Sequence, residues 1–376
     1  MVVALLLALV LLLTSCYPTH PQSTFDAAGP VSKNLLNLFW IIFWIAVVVF
    51  VVVVGLLVYS IVRFRERPGQ KLPVQVHGNR RLEIAWTIVP ALLLAAISVM
   101  TVQTLFELRT APSEDPLRVE VIAHQWWWEV IYPDFNITTA NEIVVPVSRD
   151  VTLKLDSVDV IHSFWVPKLA GKKDVIPNHT NTTWFRADEV GTFLGQCAEF
   201  CGIAHALMQI RVVAKTLDEF QEWTDIQRAA ATIPTEGEAL KGFQVFNSKG
   251  CLVCHSNTGM DTVQLREDRQ RAFWDSGPEW VDPDLPHDHR VTEDSAKPHS
   301  HNITHAPNLT HFASRGTFAG AIKENNEGNL KEWLRNPEKM KPGNRMARLA
   351  DAFNDREQEL SEQDITALVA YLLSLK

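Results

Sequence analysis

The side chains with the most chemistry in this chain are its sulfurs. Cys197-Ala-Glu-Phe-Cys201-Gly-Ile-Ala-His205-Ala-Leu-Met208 sets two thiols, an imidazole and a thioether within twelve residues. His162 stands upstream, in Ile161-His162-Ser163-Phe164-Trp165. Cysteine and histidine together also build closed structural zinc sites. Met208, three residues after His205, argues for copper instead, because a thioether is a soft, weak ligand. A Cys197–Cys201 disulfide would suit an oxidising compartment, but it leaves the His and Met spacing without a purpose. Two thiolates in one loop can bridge two metal ions. Each copper then takes one imidazole, from His162 or His205, and one weak axial donor. Met208 serves on one side and the backbone carbonyl of Glu199 on the other. A site held this way changes geometry little between redox states. It suits electron transfer and leaves no open position for a substrate.

A second pair of thiols stands in Cys251-Leu-Val-Cys254-His255. Cys-x-x-Cys-His is the attachment pattern of covalent haem. The thiols form thioethers with the haem vinyls, and His255 becomes the proximal iron ligand. A thioredoxin-like redox pair would need a βαβ setting, absent here, and would not require the histidine. The other axial ligand is Met or His. Met260 is too close to His255 to reach the opposite haem face. Met340 and Met346 remain, flanking Lys341-Pro342-Gly343-Asn344-Arg345. The fifth cysteine, Cys16, ends Leu13-Thr14-Ser15-Cys16 after a 13-residue apolar run. That run is too short to span a bilayer, which takes ~20 residues. The segment resembles a bacterial lipobox, so residues 1–15 are expected to be a lipoprotein signal peptide and Cys16 the lipidated residue. No Lys or Arg precedes the run, and an ordinary signal peptide with an incidental cysteine is the alternative.

These groups need elements to hold them. Leu117, Val119 and Val121 alternate with polar residues, as do Val151, Leu153 and Leu155. Residues 117–215 therefore read as a small antiparallel barrel or sandwich. Residues 216–234 read as a linker, a short amphipathic stretch followed by an Ala-rich, Pro-ended segment. Near the end, Ser361 and Asp364 form a capping box, and Ile365, Leu368, Val369 and Leu372 mark one face of a terminal helix. Upstream, residues 35–62 and 84–106 hold no charged side chain, and both runs are long enough to cross a bilayer. Pro90 falls in the second turn of the latter run, where a missing N–H is cheaply tolerated. Arg63, Arg65, Arg67, Lys71, Arg80 and Arg81 place the intervening loop in the cytoplasm. Everything after about residue 110 then faces the periplasm or cell exterior. The chain carries −8 overall while its first 110 residues carry +4, which leaves −12 on the rest. An acidic outer portion suits a basic protein partner, or serves solubility alone. No basic cluster in it points to nucleic acid.

The motifs together resemble subunit II of the haem–copper cytochrome c oxidases over about residues 30–215. The resemblance is carried by Gly-Gln-Cys-Ala-Glu-Phe-Cys-Gly-Ile-Ala-His, by Glu-Ile-Ala-Trp-Thr-Ile-Val-Pro from Glu83 to Pro90, and by His124-Gln125-Trp126-Trp127-Trp128. The family usually has Gln-Trp-Tyr-Trp there, so this chain departs at Trp127. The resemblance implies a two-helix transmembrane hairpin over 30–110, with helices at about 35–62 and 84–106. An all-β cupredoxin-like domain with a dinuclear copper (CuA) centre would follow over 111–215. It implies that Trp126 takes the electron from an external cytochrome; core and interface packing is the alternative for Trp126 and the reading for Trp127 and Trp128. It implies that the Glu199 side chain contributes to a magnesium site shared with subunit I, and that Glu83 stands at the mouth of a proton pathway. Capping the helix dipole would explain Glu83 as well.

Residues 235–376 resemble an all-α class I cytochrome c. Such domains commonly present the sixth ligand as Pro-Gly-x-x-Met, which selects Met346 over Met340. Ala306-Pro307-Asn308-Leu309 resembles the segment beside the proximal histidine, where most relatives have Gly in place of Ala306. The terminal helix is expected to pack on a helix at about 236–249. Fifty-one residues separate His255 from Pro307, and the insertion at about 258–304 has no counterpart in small cytochromes c. With His287, His289, His299, His301 and, just beyond it, His305, this region reads as a solvated loop, weak metal binding being the alternative. The implied protein accepts electrons from cytochrome c, from quinol–cytochrome c reductase or at its own haem c. It passes them by CuA to subunit I, with subunit III alongside, in the bacterial inner membrane. Oxygen reduction to water and proton pumping would then belong to the partner. A CuA subunit of nitric oxide reductase and a membrane-anchored electron shuttle are the other readings. Nitrous oxide reductase shares the copper domain but is usually soluble.

Overall fold

The computed structural model describes residues 20–66, 68–69, 78–256 and 306–376. Cys16, the signal segment, Met260, the insertion at about 258–304 and the histidines named with it lie outside the described residues. Two long helices come first, α1 (Pro30–Arg63) and α2 (Arg80–Glu107). At 1.5 Å per residue they extend roughly 50 and 40 Å, enough for a bilayer. Their Val, Leu, Ile, Phe and Trp side chains are largely exposed, an arrangement that lipid stabilises and water does not. Both helices reach beyond the uncharged runs. Asn79 caps α2 by accepting from the backbone N–H groups of Arg81 and Leu82. Pro90 therefore falls in the third turn rather than the second. Its missing donor leaves the Trp86 carbonyl without a helical partner. Ser32 at the base of α1 donates to the Lys168 carbonyl at 2.6 Å, and Lys33 pairs with Asp188 at 2.5 Å. These contacts tie the hairpin to the next domain.

That domain is a sandwich of two five-stranded sheets. One runs in the order β3 (Ile137–Ala140), β2 (Trp127–Tyr132), β1 (Leu117–His124), β5 (Val151–Ser157), β8 (Asn181–Phe185). The other runs β4 (Glu142–Pro146), β10 (Gln209–Lys215), β9 (Gly191–Cys197), β6 (His162–Trp165), β7 (Lys173–Val175). The alternating residues Leu117, Val119, Val121, Val151, Leu153 and Leu155 all turn into the shared core. The expectation of a purely antiparallel domain is corrected in one respect. β1 pairs with β5, and β4 with β10, in parallel. The chain leaves the first sheet after β3, crosses to the second as β4, and returns as β5 beside β1. That crossover enforces parallel pairing.

Helix α3 (Leu217–Arg228) opens on a capping box between Thr216 and Glu219. It lays Phe220 and Trp223 on the sandwich, the Trp223 ring 5.1 Å from that of Tyr132. The first part of the 216–234 stretch thus packs on the β domain. A second core gathers the helical C-terminal domain. Its ends are α4 (Gly237–Ser248) and α9 (Glu362–Leu372), which meet as expected. Gly242 lies against the Ala367 carbonyl, and Phe243 and Phe246 flank Tyr371 at 5.6 and 5.5 Å. Between them come the short strands β11 (Thr317–Phe318) and β12 (Lys323–Glu324). Four helices follow, α5 (Glu327–Arg335), α6 (Pro337–Met340), α7 (Arg345–Leu349) and α8 (Asp351–Asn354).

Candidate functional site

The first site forms where strands end. β6 begins at His162, β9 ends at Cys197, and the two strands are neighbours, with Phe164 opposite Cys197. The loop after β9 then turns back through a 3-10 turn, His205–Leu207, to Met208 and β10. This path gathers the expected donors. The sulfurs of Cys197 and Cys201 lie 3.7 Å apart, free rather than bonded as a disulfide. His162 Nδ1 is 3.8 Å from Cys197 Sγ, and His205 Nδ1 is 3.5 Å from Cys201 Sγ. Met208 Sδ stands 3.9 Å from Cys201 Sγ, and the Glu199 carbonyl 3.2 Å from Cys197 Sγ. His162, Cys197, Cys201 and Met208 are buried, whereas Glu199 is exposed. Two thiols at the centre, one imidazole beside each, and a thioether and a carbonyl at the ends form a soft, water-poor donor set that fits copper.

Asp159 orders this set. Its carboxylate accepts from His162 Nε2 at 2.8 Å and from the Gln125 backbone N–H at 2.6 Å. The proton is thereby held on Nε2, which turns a bare Nδ1 toward the sulfurs. Burial pulls the Asp159 carboxyl up, but the His162 contacts outweigh it and hold the group low. Burial likewise pulls His162 down, and Asp159 and Cys197 together raise it. The pairing with Cys201 pushes the Cys197 thiol down, and the same pairing raises that of Cys201. Thiolates are the form in which both sulfurs bind a metal.

A second site lies in the C-terminal domain. Cys251–Val253 is a 3-10 turn entered through Gly250 at φ 73°, and His255 follows. His255 Nδ1 is 2.8 Å from the Pro307 carbonyl. A carbonyl only accepts, so Nδ1 carries the hydrogen and Nε2 keeps its lone pair. Burial pushes the imidazole down, toward the neutral form that binds iron. Cys251, Cys254, His255 and Met346 line one mainly apolar cavity of about 260 Å³, and Met340 does not line it. Leu309, Phe312 and Leu368 give it apolar walls, and Arg315 and Arg345 add cations. Apolar space lined by an imidazole, a thioether, two thiols and cations fits haem and its two propionates.

The sites share a wall, which the sequence did not reveal. Trp126 and Trp127, from the β domain, also line that cavity. Trp126 is buried, and its Nε1 donates to the Cys201 carbonyl at 2.8 Å. Glycines flank its ring. A β-carbon on Gly202 would stand 3.0 Å from Trp126 Cζ2, and one on Gly343 would stand 3.3 Å from Cη2. Gly202 belongs to the cysteine loop and Gly343 to the loop before Met346. The face of Trp126 expected to meet an external cytochrome is thus covered by the chain's own C-terminal domain. Trp127 stacks on His124, the rings 4.2 Å apart. Trp128 is fully buried against Phe164. Asp159 was also missed, although its three-residue spacing from His162 was a signal. Glu83 stands in the first turn of α2, far from both sites in the chain.

Comparison with known proteins places both regions in described families. The family described as cytochrome c oxidase subunit II, transmembrane domain, matches residues 18–104. The periplasmic domain of the same subunit matches residues 136–215, and cytochrome c matches residues 239–376. Cytochrome c oxidase subunit 2 of Alkalihalophilus pseudofirmus is 32% identical over 98% of this chain and 95% of its own length. That of Bacillus subtilis is 36% identical over 99% and 97%. The crystal structure of the periplasmic domain of cytochrome oxidase subunit II from Bradyrhizobium japonicum shares 34% identity. It covers 31% of this chain and 95% of that one, with a TM-score of 0.30.

Proposed function

Because the chain belongs to the family of cytochrome c oxidase subunit II, fused to a cytochrome c domain, we propose that it is the electron-input subunit of a membrane-bound terminal oxidase. The observation that carries this reading is Trp126, one indole that hydrogen-bonds the Cys201 carbonyl and walls the His255 cavity. Cys251 and Cys254 would attach haem c, with His255 and Met346 holding its iron and Arg315 and Arg345 available to its propionates. His162, Cys197, Cys201, His205, Met208 and the Glu199 carbonyl would hold the dinuclear copper. When bound, these groups supply one-electron chemistry and no substrate position. Asp159 and the Pro307 carbonyl fix the two imidazoles before any metal arrives, which keeps reorganisation small. Trp126 supplies a packed, buried contact between the two loops. The exposed Glu199 carboxylate is free to join a magnesium site with subunit I, and Glu83 lies at the cytoplasmic end of α2, where a proton path would open. Subunits I and III in the inner membrane are the partners, and cytochrome c or quinol–cytochrome c reductase the donor. Oxygen reduction and proton pumping take place in subunit I. Lipid on Cys16 would anchor the N-terminus outside.

The test is purification of the complex that contains this chain. Oxygen uptake on reduced cytochrome c, with two coppers per haem c in this subunit, is expected. Nitric oxide consumption without oxygen uptake would assign the chain to a nitric oxide reductase instead.

A further inference from the structure

The contact between the two domains is held at two buried polar points outside both metal-ligand sets. At the first, Lys341 of the cytochrome domain is only 3% exposed. Its amine donates to the Trp126 carbonyl of the copper domain and to the Ala319 carbonyl, the latter at 2.9 Å. At the second, Glu142 at the head of β4 is 7% exposed. Its carboxylate accepts from Thr317 Oγ1 at 2.6 Å and from the Gly316 N–H at 3.1 Å, both in the cytochrome domain. Between the two points, the Gln209 N–H donates to the Gly320 carbonyl at 2.9 Å. Each domain therefore buries one ionisable side chain of opposite type at the contact, Glu142 met by two donors of the cytochrome domain and Lys341 by one carbonyl of the copper domain and one of its own.

Lysine and glutamate are rarely buried so completely unless they are paired. The two contacts also resist sliding, because any shift would leave both groups unmatched inside the interface. Burial pushes the Lys341 ammonium down to about 7. The neutral amine still has two N–H bonds, which are the two its carbonyl partners require. Gly320, at φ 80°, lies among Lys341 Nζ, the Leu207 carbonyl and the Trp126 carbonyl, where a β-carbon would have no room.

We propose that Lys341 and Glu142 are positioning residues, a two-point clasp that fixes the register of the cytochrome domain on Trp126 and so sets the rate of electron passage between the two domains. This rests on the electron-carrying reading above. The rival is a domain that swings on the segment after α3 and meets Trp126 only in passing.

The experiment uses the intact oxidase complex with Lys341→Met and, separately, Thr317→Val, which reports on the Glu142 point. Haem-to-copper transfer is timed after flash reduction of the haem. Amide exchange is read over residues 124–130 and 316–321. A tenfold or greater slowing is expected in Lys341→Met and a several-fold slowing in Thr317→Val. Faster exchange at both faces, with haem and copper absorption unchanged, completes the expected result. Unchanged transfer and exchange in both variants would overturn the clasp. If Lys341→Met loses its haem, Thr317→Val alone decides by the same two readouts. A wild-type complex with no haem-to-copper transfer would defeat the carrier reading, and the exchange data would still judge the clasp.

Discussion

Asp159 and Pro307 do the same work in the two sites, since each fixes which ring nitrogen of a histidine stays bare. Asp159 makes the more demanding contact, because three donors, His162 Nε2, the Val160 N–H and the Gln125 N–H, use its two oxygens. Asn in its place would turn an N–H₂ toward one of them. Partners of this kind are worth about 10–100-fold in metal affinity. Asp159→Asn is therefore expected to lose copper under chelator challenge at concentrations the wild type survives, measured as copper per haem c. Equal retention would show that His162 needs no such partner. Met346 and Met340 separate by the same kind of reasoning, since only Met346 lines the haem cavity. Met346→Ala should abolish the Met–haem charge-transfer band and Met340→Ala should keep it; the reverse result would move the ligand.

The helices that frame the haem cavity depend on a few close contacts. Gly242 on α4 touches the backbone carbonyl of Ala367 on α9, so a methyl group there has to part the helices. Overpacking of this type costs about 1–3 kcal/mol. Gly242→Ala should lower the thermal midpoint of the haem absorption, and an unchanged midpoint would mean the helices yield freely. The start of α9 rests on the Ser361–Asp364 capping box. Burial raises the Asp364 carboxyl, but its hydrogen bonds from Ser361 outweigh that and hold it low. A depressed carboxyl adds stability above its ordinary range, which is lost as pH falls through the folded value. The cap therefore weakens in acid, below about pH 4. Ser361→Ala should destabilise the domain by about 1 kcal/mol near neutrality, with the difference shrinking as Asp364 protonates. A gap that stays constant into acid would mean the cap's carboxylate contributes nothing. Helix α4, which has no side-chain cap, was expected only through the resemblance to cytochrome c, whereas α9 was legible in the sequence, because its cap and apolar periodicity are local. The strand alternation was legible for the same reason. Parallel pairing of β1 with β5 was not, because it depends on where the chain crosses between sheets. Glu142 left a trace, a lone acid heading the apolar run Ile-Val-Val, but its partners lie some 170 residues away and no spacing rule reaches them.

For the whole molecule, the covered Trp126 decides where an outside donor reacts. That indole is 5% exposed and lies under the Gly343 loop, so on the proposed function a visiting protein is expected to deliver its electron to the cytochrome domain. The chain beyond residue 110 carries −12, a field that would draw in a basic donor. Its reach at physiological salt is about 8 Å. The contact between the two domains is of the opposite kind, with buried groups already paired and little screened by ions. Two steps of one electron path should therefore answer differently to salt. The second-order reaction with a basic cytochrome is expected to slow several-fold between low and physiological ionic strength. Haem-to-copper transfer, timed after a flash, should hold constant over the same range. If the internal step also slows with salt, the domains are meeting by diffusion on a tether and Trp126 is open part of the time. If neither step responds, the acidic surface serves solubility alone and the donor is selected by shape.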